Sequence, residues 1–252
     1  MPPERPEKPW RVIVVVPTYN ERENLPHLTA AVLLHGYRLL IVDDSSPDGT
    51  GDLADELAAS IPGIEVLHRP SKEGLGRAYG DAFDKALSGD TEIVVQMDCD
   101  FSHNPVDIPR LLDAVEAGAD AAVGSRYVPG GSTPDWSLKR RLLSRGGNLY
   151  SRVMLGIKIR DATGGFRAWR ADALRSIPYR EGQASGYGFQ VEMAMRAEDQ
   201  GLTITEVPIV FRDRTRGHSK MGPDIVVEAM KLVTKWGITR WLSRLRLRSE
   251  AN

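Results

Sequence analysis

At 252 residues, with 41% hydrophobic and 27% charged residues, the chain suits one large domain with a substantial core and excludes disordered and fibrous classes. Thirty-three basic against 34 acidic side chains leave a formal net charge of −1, so no global positive field argues for a nucleic-acid partner. The single Cys99 excludes an internal disulfide, and no apolar run approaches the ~20 residues needed to span a bilayer, which makes the cytoplasm the expected compartment.

The first ten residues, MPPERPEKPW, read as a flexible, Pro-rich leader and not as a signal peptide. Val12–Val16 is a β-branched run that stops at Pro17, and a helix pattern follows from Asn24 to Leu34. Leu39–Val42 is a second strand ending in Asp43 and Asp44, and Thr50 is placed to cap a helix reaching Ser60. Ile64–Leu67 is a third strand, followed by a Gly-punctuated loop and a helix over Arg77–Leu87. Glu92–Met97 is a fourth strand terminating at Asp98; a helix over Pro105–Glu116 and a strand at Ala121–Gly124 complete the series. This alternation predicts an α/β fold with a parallel, doubly wound sheet covered by helices.

After Gly131 the rhythm changes. Leu138–Leu155 reads as a basic helix, Asp161–Phe166 as a Gly-rich turn, Gly188–Asp199 as a helix and Ile204–Phe211 as a strand pair. A polar loop, Arg212–Met221, leads into an amphipathic basic segment over Asp224–Leu247. The expected division is a nucleotide-binding half over 11–130, an acceptor half over 131–221 and a C-terminal helix and tail over 222–252.

Ligands of such a sheet bind at the carboxyl ends of its strands, where Pro17, Asp43-Asp44 and Asp98 all fall. Asp98-Cys99-Asp100 is the sharpest feature. Two carboxylates one residue apart project to the same side if extended, and repel each other without a cation. Mg²⁺ or Mn²⁺ takes such oxygen ligands and bridges them to substrate phosphates. The plainer alternative is an exposed strand-end turn. Cys99 is expected to face the core.

Asp43-Asp44-Ser-Ser-Pro-Asp48 offers acids to a ribose or base, or is simply a well-capped βα turn. Pro17-Thr18-Tyr19-Asn20-Glu21 is turn punctuation or one wall of a base pocket. Gly74-Leu-Gly76-Arg-Ala-Tyr-Gly80 has GxGxxxG spacing, which departs from the dinucleotide fingerprint and lies outside the first βα turn. Arg126 and the cluster Arg212, Arg214, Arg216, His218 and Lys220 offer charges for phosphates. Among these, Arg216 and Lys220 stand out because Gly217 and Ser219 permit close backbone approach. His218 is read as an oriented loop residue. The C-terminal segment, with Trp236 and Trp241 among basic residues, fits either a packed terminal helix or an interfacial one.

With these residues on the page, the chain resembles the dolichol/polyprenol-phosphate mannosyltransferases, membrane-facing members of the GT-A, family-2 glycosyltransferases. The matching stretches are VVVPTYNERENL, IVDDSSPDGTGDLA, KEGLGRAYGDAF, QMDCDFSHNP, GSRYVPGG, DATGGFRAWR, SGYGFQVEM and EVPIVFRDRTRGHSKM, recurring in order from Val12 to Met221. The resemblance implies a GT-A (Rossmann-like) sheet in which Asp98 and Asp100 hold Mg²⁺ or Mn²⁺. The resemblance also makes Ser102 a candidate further ligand, at a position where some relatives carry Gln. It places Pro17, Tyr19, Glu21, Asp44, Asp48 and Asp98 around the donor nucleotide, and Arg126, Arg216 and Lys220 at the donor and lipid phosphates, with Asp100, Arg126 and Arg216 catalytic. Many relatives carry C-terminal transmembrane helices. This chain ends without them, which implies a peripheral protein on the cytoplasmic face of a membrane, relying on a transmembrane partner protein or its own basic tail.

The implied reaction is inverting transfer of mannose from GDP-mannose to a polyprenyl phosphate. Within the same chemistry the alternative donor is UDP-glucose; from another class, the alternative is a non-catalytic nucleotide-binding subunit, against which the intact Asp98, Asp100, Arg126 and Arg216 argue. A phosphate monoester loses its second proton near pH ~6 and arrives ionised, so no general base is required. Glu192 would serve only a hydroxyl acceptor. Arg240-Trp241 matches the end of the QxxRW signature of processive synthases, but Gly237 stands where Gln would be.

Overall fold

β-Branched and leucine-rich runs build the first strands, Val12–Thr18 (β1), Arg38–Asp43 (β2), Ile64–His68 (β3) and Ile93–Gln96 (β4). Their residues alternate between two buried faces. Val14, Val16, Leu39, Ile41 and Val95 meet helices Leu25–Leu33 (α1) and Ile108–Glu116 (α4), with Thr50–Ser60 (α2) beside them. Ile13, Val15, Leu40, Val42 and Val94 meet Leu75–Leu87 (α3). Both faces being covered explains why β1, β2 and β4 read as near-continuous apolar runs, whereas β3, with Glu65 and His68, is only partly buried. The computed structural model describes residues 11–182, 184, 186, 188–214 and 223–250. The expected leader, together with Arg216, His218 and Lys220, lies outside the described residues.

The chain continues through Ala121–Ser125 (β5), Leu138–Leu155 (α5), Arg167–Arg170 (β6), Ala171–Ser176 (α6), Gly188–Asp199 (α7), Ile204–Pro208 (β7) and Pro223–Glu250 (α8). The seven strands form one sheet in the order β3-β2-β1-β4-β6-β5-β7. It is mostly parallel, as expected, but not wholly so: β6 runs antiparallel between β4 and β5, with Gln96 opposite Arg167 and Val94 opposite Trp169. The carboxyl ends of β1, β2, β4 and β5 therefore meet the amino end of β6 at one edge.

Several local expectations change for physical reasons. β1 does not stop at Pro17 but runs to Thr18, still in register with β2. Pairing to β4 has ended by then, at Val15–Gln96, so the missing proline N–H leaves no ladder bond unmade on that side. Gly49, in a left-handed conformation at φ +81°, takes the cap of α2 in place of Thr50. The Thr50 hydroxyl instead donates to Asp48 and accepts from the Glu21 amide. The helix expected from Pro105 begins as a 3₁₀ turn capped by Asn104. The strand pair over Ile204–Phe211 is a single strand ended by Pro208, followed by one bridge between Ser132 and Val210.

α8 carries apolar side chains on two faces. Val233 and Trp236 pack inward, whereas Met230, Ile238, Trp241 and Leu242 face solvent. Arg240 ties it to Asp199 at the end of α7. Among the described residues no helix is long and apolar enough to cross a membrane.

Candidate active site

The strand ends converge on a crevice marked by backbone strain. The three non-glycine residues found at positive φ among the described residues are Asn20, Ser45 and Phe101, which follow β1, β2 and β4 respectively. Left-handed backbone at a bulky residue such as Phe101 persists only where the surroundings fix it, and such positions gather at functional sites.

After β4 the chain turns sharply over Asp98–Ser102 instead of extending. The Asp98 side chain is 41% exposed and opens to the crevice, whereas Asp100 is 9% exposed. Asp100 accepts from the Ser102 amide at 3.0 Å and pairs with Arg214 at 3.1 Å. Ser102 is buried, and Cys99 faces the core as expected. The Asp98 amide donates to His103 Nδ1 at 3.1 Å. That nitrogen therefore carries no proton, and the 3.8 Å approach of Asp98 Oδ2 to it is not an ion pair. His103 is buried against Phe166 and Phe211 and holds the turn from below.

Desolvation pushes the Asp98 carboxyl above the usual carboxylate range; Asp100 and Glu21 push the same way, and Arg214 opposes them. A site where acids crowd one another upward is suited to a cation. Among the described residues no group of three or more His, Cys, Asp or Glu forms a metal cluster. Two carboxylates are nevertheless enough for an ion that keeps several waters and takes phosphate oxygens. Asp98 and Asp100 fit such an ion.

At the end of β2, the buried Asp43 accepts from Thr18 and from Ser46. Asp44 pairs with the buried Arg69, which also holds Asp81 at 2.7 Å. Burial lifts the Asp44 carboxyl, and Arg69 only partly offsets it. Asp48 is committed to its own turn, accepting from Thr50 and from the Arg22 amide. Glu21 accepts from Asn24 at 2.8 Å, and Lys72 sits 3.8 Å above the Tyr19 ring. Pro17, Tyr19, Glu21, Asp44 and Asp98 are thus brought to one edge, while Asp48 acts inside the loop that shapes it.

Arg126 emerges from β5 at the same edge, but its guanidinium is already engaged. It forks onto Asp161 through Nε and Nη2, at 2.8 and 2.6 Å, and gives a further bond to Thr163. Burial alone would raise the Asp161 carboxyl; the charge and hydrogen bonds of Arg126, with the charge of Arg167, outweigh it and hold Asp161 below the usual range. Glu192, wholly buried, accepts from Arg196 and from the Ala184 amide.

Sequence reasoning gave no role to Asp161, Arg167, Gln190 or His103, although Asp161 and Arg167 bracket the Gly-rich turn. That turn passes beneath Asp98: a Cβ added at Gly165 would lie 3.5 Å from both Gln190 and His103 and 3.9 Å from Asp98 Oδ1. Arg167 is completely buried, giving its bonds to the carbonyls of Ala162, Gly164 and Gln190. Burial pulls its guanidinium down to about 10. On the same face, Tyr79 Oη, Gln96 Nε2, Arg167 Nη1 and Gln190 Oε1 are buried with no hydrogen-bond partner among the described residues. The Gly74–Gly80 stretch has a packing explanation. Gly76 lies inside α3, where a Cβ would meet the Ala184 carbonyl at 2.6 Å, and Gly80 lies against Arg180.

Residues 13–177 match the family model described as glycosyl transferase family 2. The chain belongs to that family. It is 48% identical over 239 residues to polyprenol monophosphomannose synthase of Mycolicibacterium smegmatis, covering 94% of this chain and 90% of that one. It is equally 48% identical to undecaprenyl-phosphate mannosyltransferase of Micrococcus luteus, over 92% of this chain and 96% of the relative. Among solved structures, glucosyl-3-phosphoglycerate synthase of Mycobacterium tuberculosis superposes with a TM-score of 0.60 at 20% identity, covering 91% of this chain and 79% of that one. A Pyrobaculum calidifontis mannosyltransferase in complex with GDP-Man and Mn²⁺ gives 0.55 at 17%, over 96% and 76% of the two chains. These likenesses to solved structures establish the GT-A-like fold of this glycosyltransferase.

Proposed function

We propose that this family-2 glycosyltransferase moves mannose from GDP-mannose to a polyprenyl phosphate with inversion, giving polyprenyl phosphomannose and GDP. The observation that carries the reading is the Asp98–Asp100 turn at the sheet's carboxyl edge, in a chain nearly half identical to two lipid-phosphate mannosyltransferases. The acceptor follows from those relatives, and the donor base from the family resemblance.

In this reading a phosphate oxygen of the lipid attacks the anomeric carbon, the bond to the donor diphosphate breaks, and GDP leaves with that bonding pair. The acceptor is already ionised, so no side chain must remove a proton, in keeping with Glu192 being spent on Arg196 and Ala184. Asp98 and Asp100, with Ser102 beside them, would hold Mg²⁺ or Mn²⁺, which supplies positive charge at the donor diphosphate. Arg214, paired with Asp100, keeps a second positive charge there. Pro17, Tyr19, Glu21 and Asp44 form the nucleoside wall, and Asp48 shapes it through Thr50. Arg126, locked to Asp161, acts by fixing the end of β5 against the Gly-rich turn and by lending its charge to the phosphates. Arg216 and Lys220 take the acceptor phosphate. The protein works at a membrane surface, alone or with a transmembrane partner.

The test is incubation with Mn²⁺, polyprenyl monophosphate and labelled GDP-mannose or UDP-glucose. Lipid-extractable label from GDP-mannose alone, in the β configuration, is expected. Label from UDP-glucose alone would transfer the reading to the other donor, and no label from either would remove it.

A further inference from the structure

Next to the Arg126–Asp161–Thr163 cluster, α5 and the chain that follows it border an open-mouthed cavity of about 360 Å³ lined by Tyr127, Arg145, Asn148, Leu149, Arg152 and Arg160. Four of these stand at i, i+3, i+4 and i+7 on α5, a single stripe of the helix, and Arg160 closes the opposite wall. Among the described residues no carboxylate lies within ion-pair distance of the Arg145, Arg152 or Arg160 guanidinium, Glu206 taking only the Arg160 backbone amide at 2.9 Å, whereas most other described arginines are paired. Arg152 Nε is buried with no hydrogen-bond partner among the described residues. Three like charges around one cavity repel, and a guanidinium fork with an unmade bond is complementary to a phosphate oxygen. Asn148 is held by Thr163, so this wall is fixed.

The neighbouring stripe of α5 is apolar and open to solvent. Leu138, Leu142, Leu149 and Val153 recur at i, i+4, i+11 and i+15, and Val153 is 73% exposed. α8 does not cover this stripe: it meets α5 elsewhere, through Tyr150–Thr234 and Met154 against Gly237. Cationic cavity and apolar stripe lie side by side along one helix. A free phosphate would use only the first; a phosphate attached to hydrocarbon uses both.

We propose that this cavity binds the headgroup phosphate of an anionic membrane phospholipid, with Leu149 and Val153 against the acyl chains, and so docks the protein on its membrane through α5. The inference does not depend on which sugar is transferred, because the test needs no donor.

The experiment measures sedimentation of the protein with phosphatidylcholine vesicles, with or without phosphatidylglycerol. The variant Arg145→Gln/Arg152→Gln/Arg160→Gln is compared with a charge-matched control, Arg77→Gln/Arg110→Gln/Arg175→Gln. Each basic residue near an anionic surface contributes roughly a fivefold gain in partitioning, so the first variant should bind phosphatidylglycerol vesicles at least ~10-fold more weakly and the control nearly as wild type. Leu149→Gln should weaken binding too, and the exposed single change Arg160→Glu repeats the test where the triple variant is unstable. Equal loss in both triple variants would reduce the effect to net charge and overturn the site. Retained phosphatidylglycerol binding, with loss confined to vesicles containing polyprenyl monophosphate, would assign the cavity to the acceptor and overturn it as well. Competition by millimolar inorganic phosphate with no effect of Leu149→Gln would mark a free-phosphate site and contradict the lipid assignment.

Discussion

Replacing Asp161 by Asn probes the joint between β5 and the Gly-rich turn. The Asp161 carboxylate is completely buried and receives three bonds from Arg126, at 2.8, 2.8 and 2.6 Å. Its charge also acts on the completely buried Arg167, partly offsetting the effect of burial there. Asn keeps one acceptor oxygen but removes the buried negative charge that faces two buried guanidiniums. Breaking a buried pair from one side costs about 3–5 kcal/mol. The retained acceptor argues for the lower end, about 3 kcal/mol, or a fall in melting temperature of roughly 6–12 °C for a chain of this size. Urea denaturation gives the difference directly. Its pH dependence has a definite sign. The folded-state pKa of Asp161 is depressed, so its stabilisation is present in full above the unfolded value near ~3.9 and is lost as pH falls through the folded value. The gap between wild type and Asp161→Asn should therefore be constant from pH 8 to about 5 and shrink below ~4. A loss under ~1 kcal/mol, or a gap unchanged at pH 3, would refute the reasoning.

Tyr79→Phe removes a buried hydroxyl that has no partner among the described residues, and should raise stability in urea by about 1 kcal/mol; a loss would reveal a bond that the hydroxyl does make. Gly131→Ala brings a Cβ to 2.5 Å from the Ser125 carbonyl and 2.8 Å from the Arg126 backbone, so thermal unfolding should show a severe loss, of several kcal/mol. Arg214→Gln releases the Asp100 oxygen it holds and removes a neighbouring positive charge, so calorimetric titration should show Mn²⁺ binding tightened by roughly fivefold; weaker binding would mean that Arg214 helps to organise the site.

Much of this architecture is legible in the sequence because its strands are buried on both faces. Val12–Val16 and Leu39–Val42 are apolar throughout, Ile93–Met97 is broken only by Gln96, and the three end at Pro17, Asp43 and Asp98, so strand and site announce themselves together. β6 does not. Arg167-Ala-Trp-Arg170 has no apolar run, and an arginine is read as surface unless its partners are known. Here they are backbone carbonyls of the turn before β6 and of α7, which only the fold brings together. The acids were identified by type but not by employment. Asp98 opens to the crevice, whereas Asp48 is spent on Thr50, and Arg126 on a carboxylate 35 residues away. Side-chain partners across such separations leave no local pattern. His103 escaped for the opposite reason, since five residues from Asp98 it resembles an ordinary turn residue until its ring is seen beneath the Asp98 amide.

In the proposed reaction the Asp98–Asp100 turn carries sugar transfer to a lipid phosphate. Its most direct test is transfer of labelled mannose from GDP-mannose to vesicle-borne polyprenyl monophosphate, with wild type compared with Asp98→Asn and Asp100→Asn at matched urea midpoints. A loss of two or more orders of magnitude in both variants, with wild type active, is the expected result. Variants that keep wild-type transfer while remaining folded would contradict it.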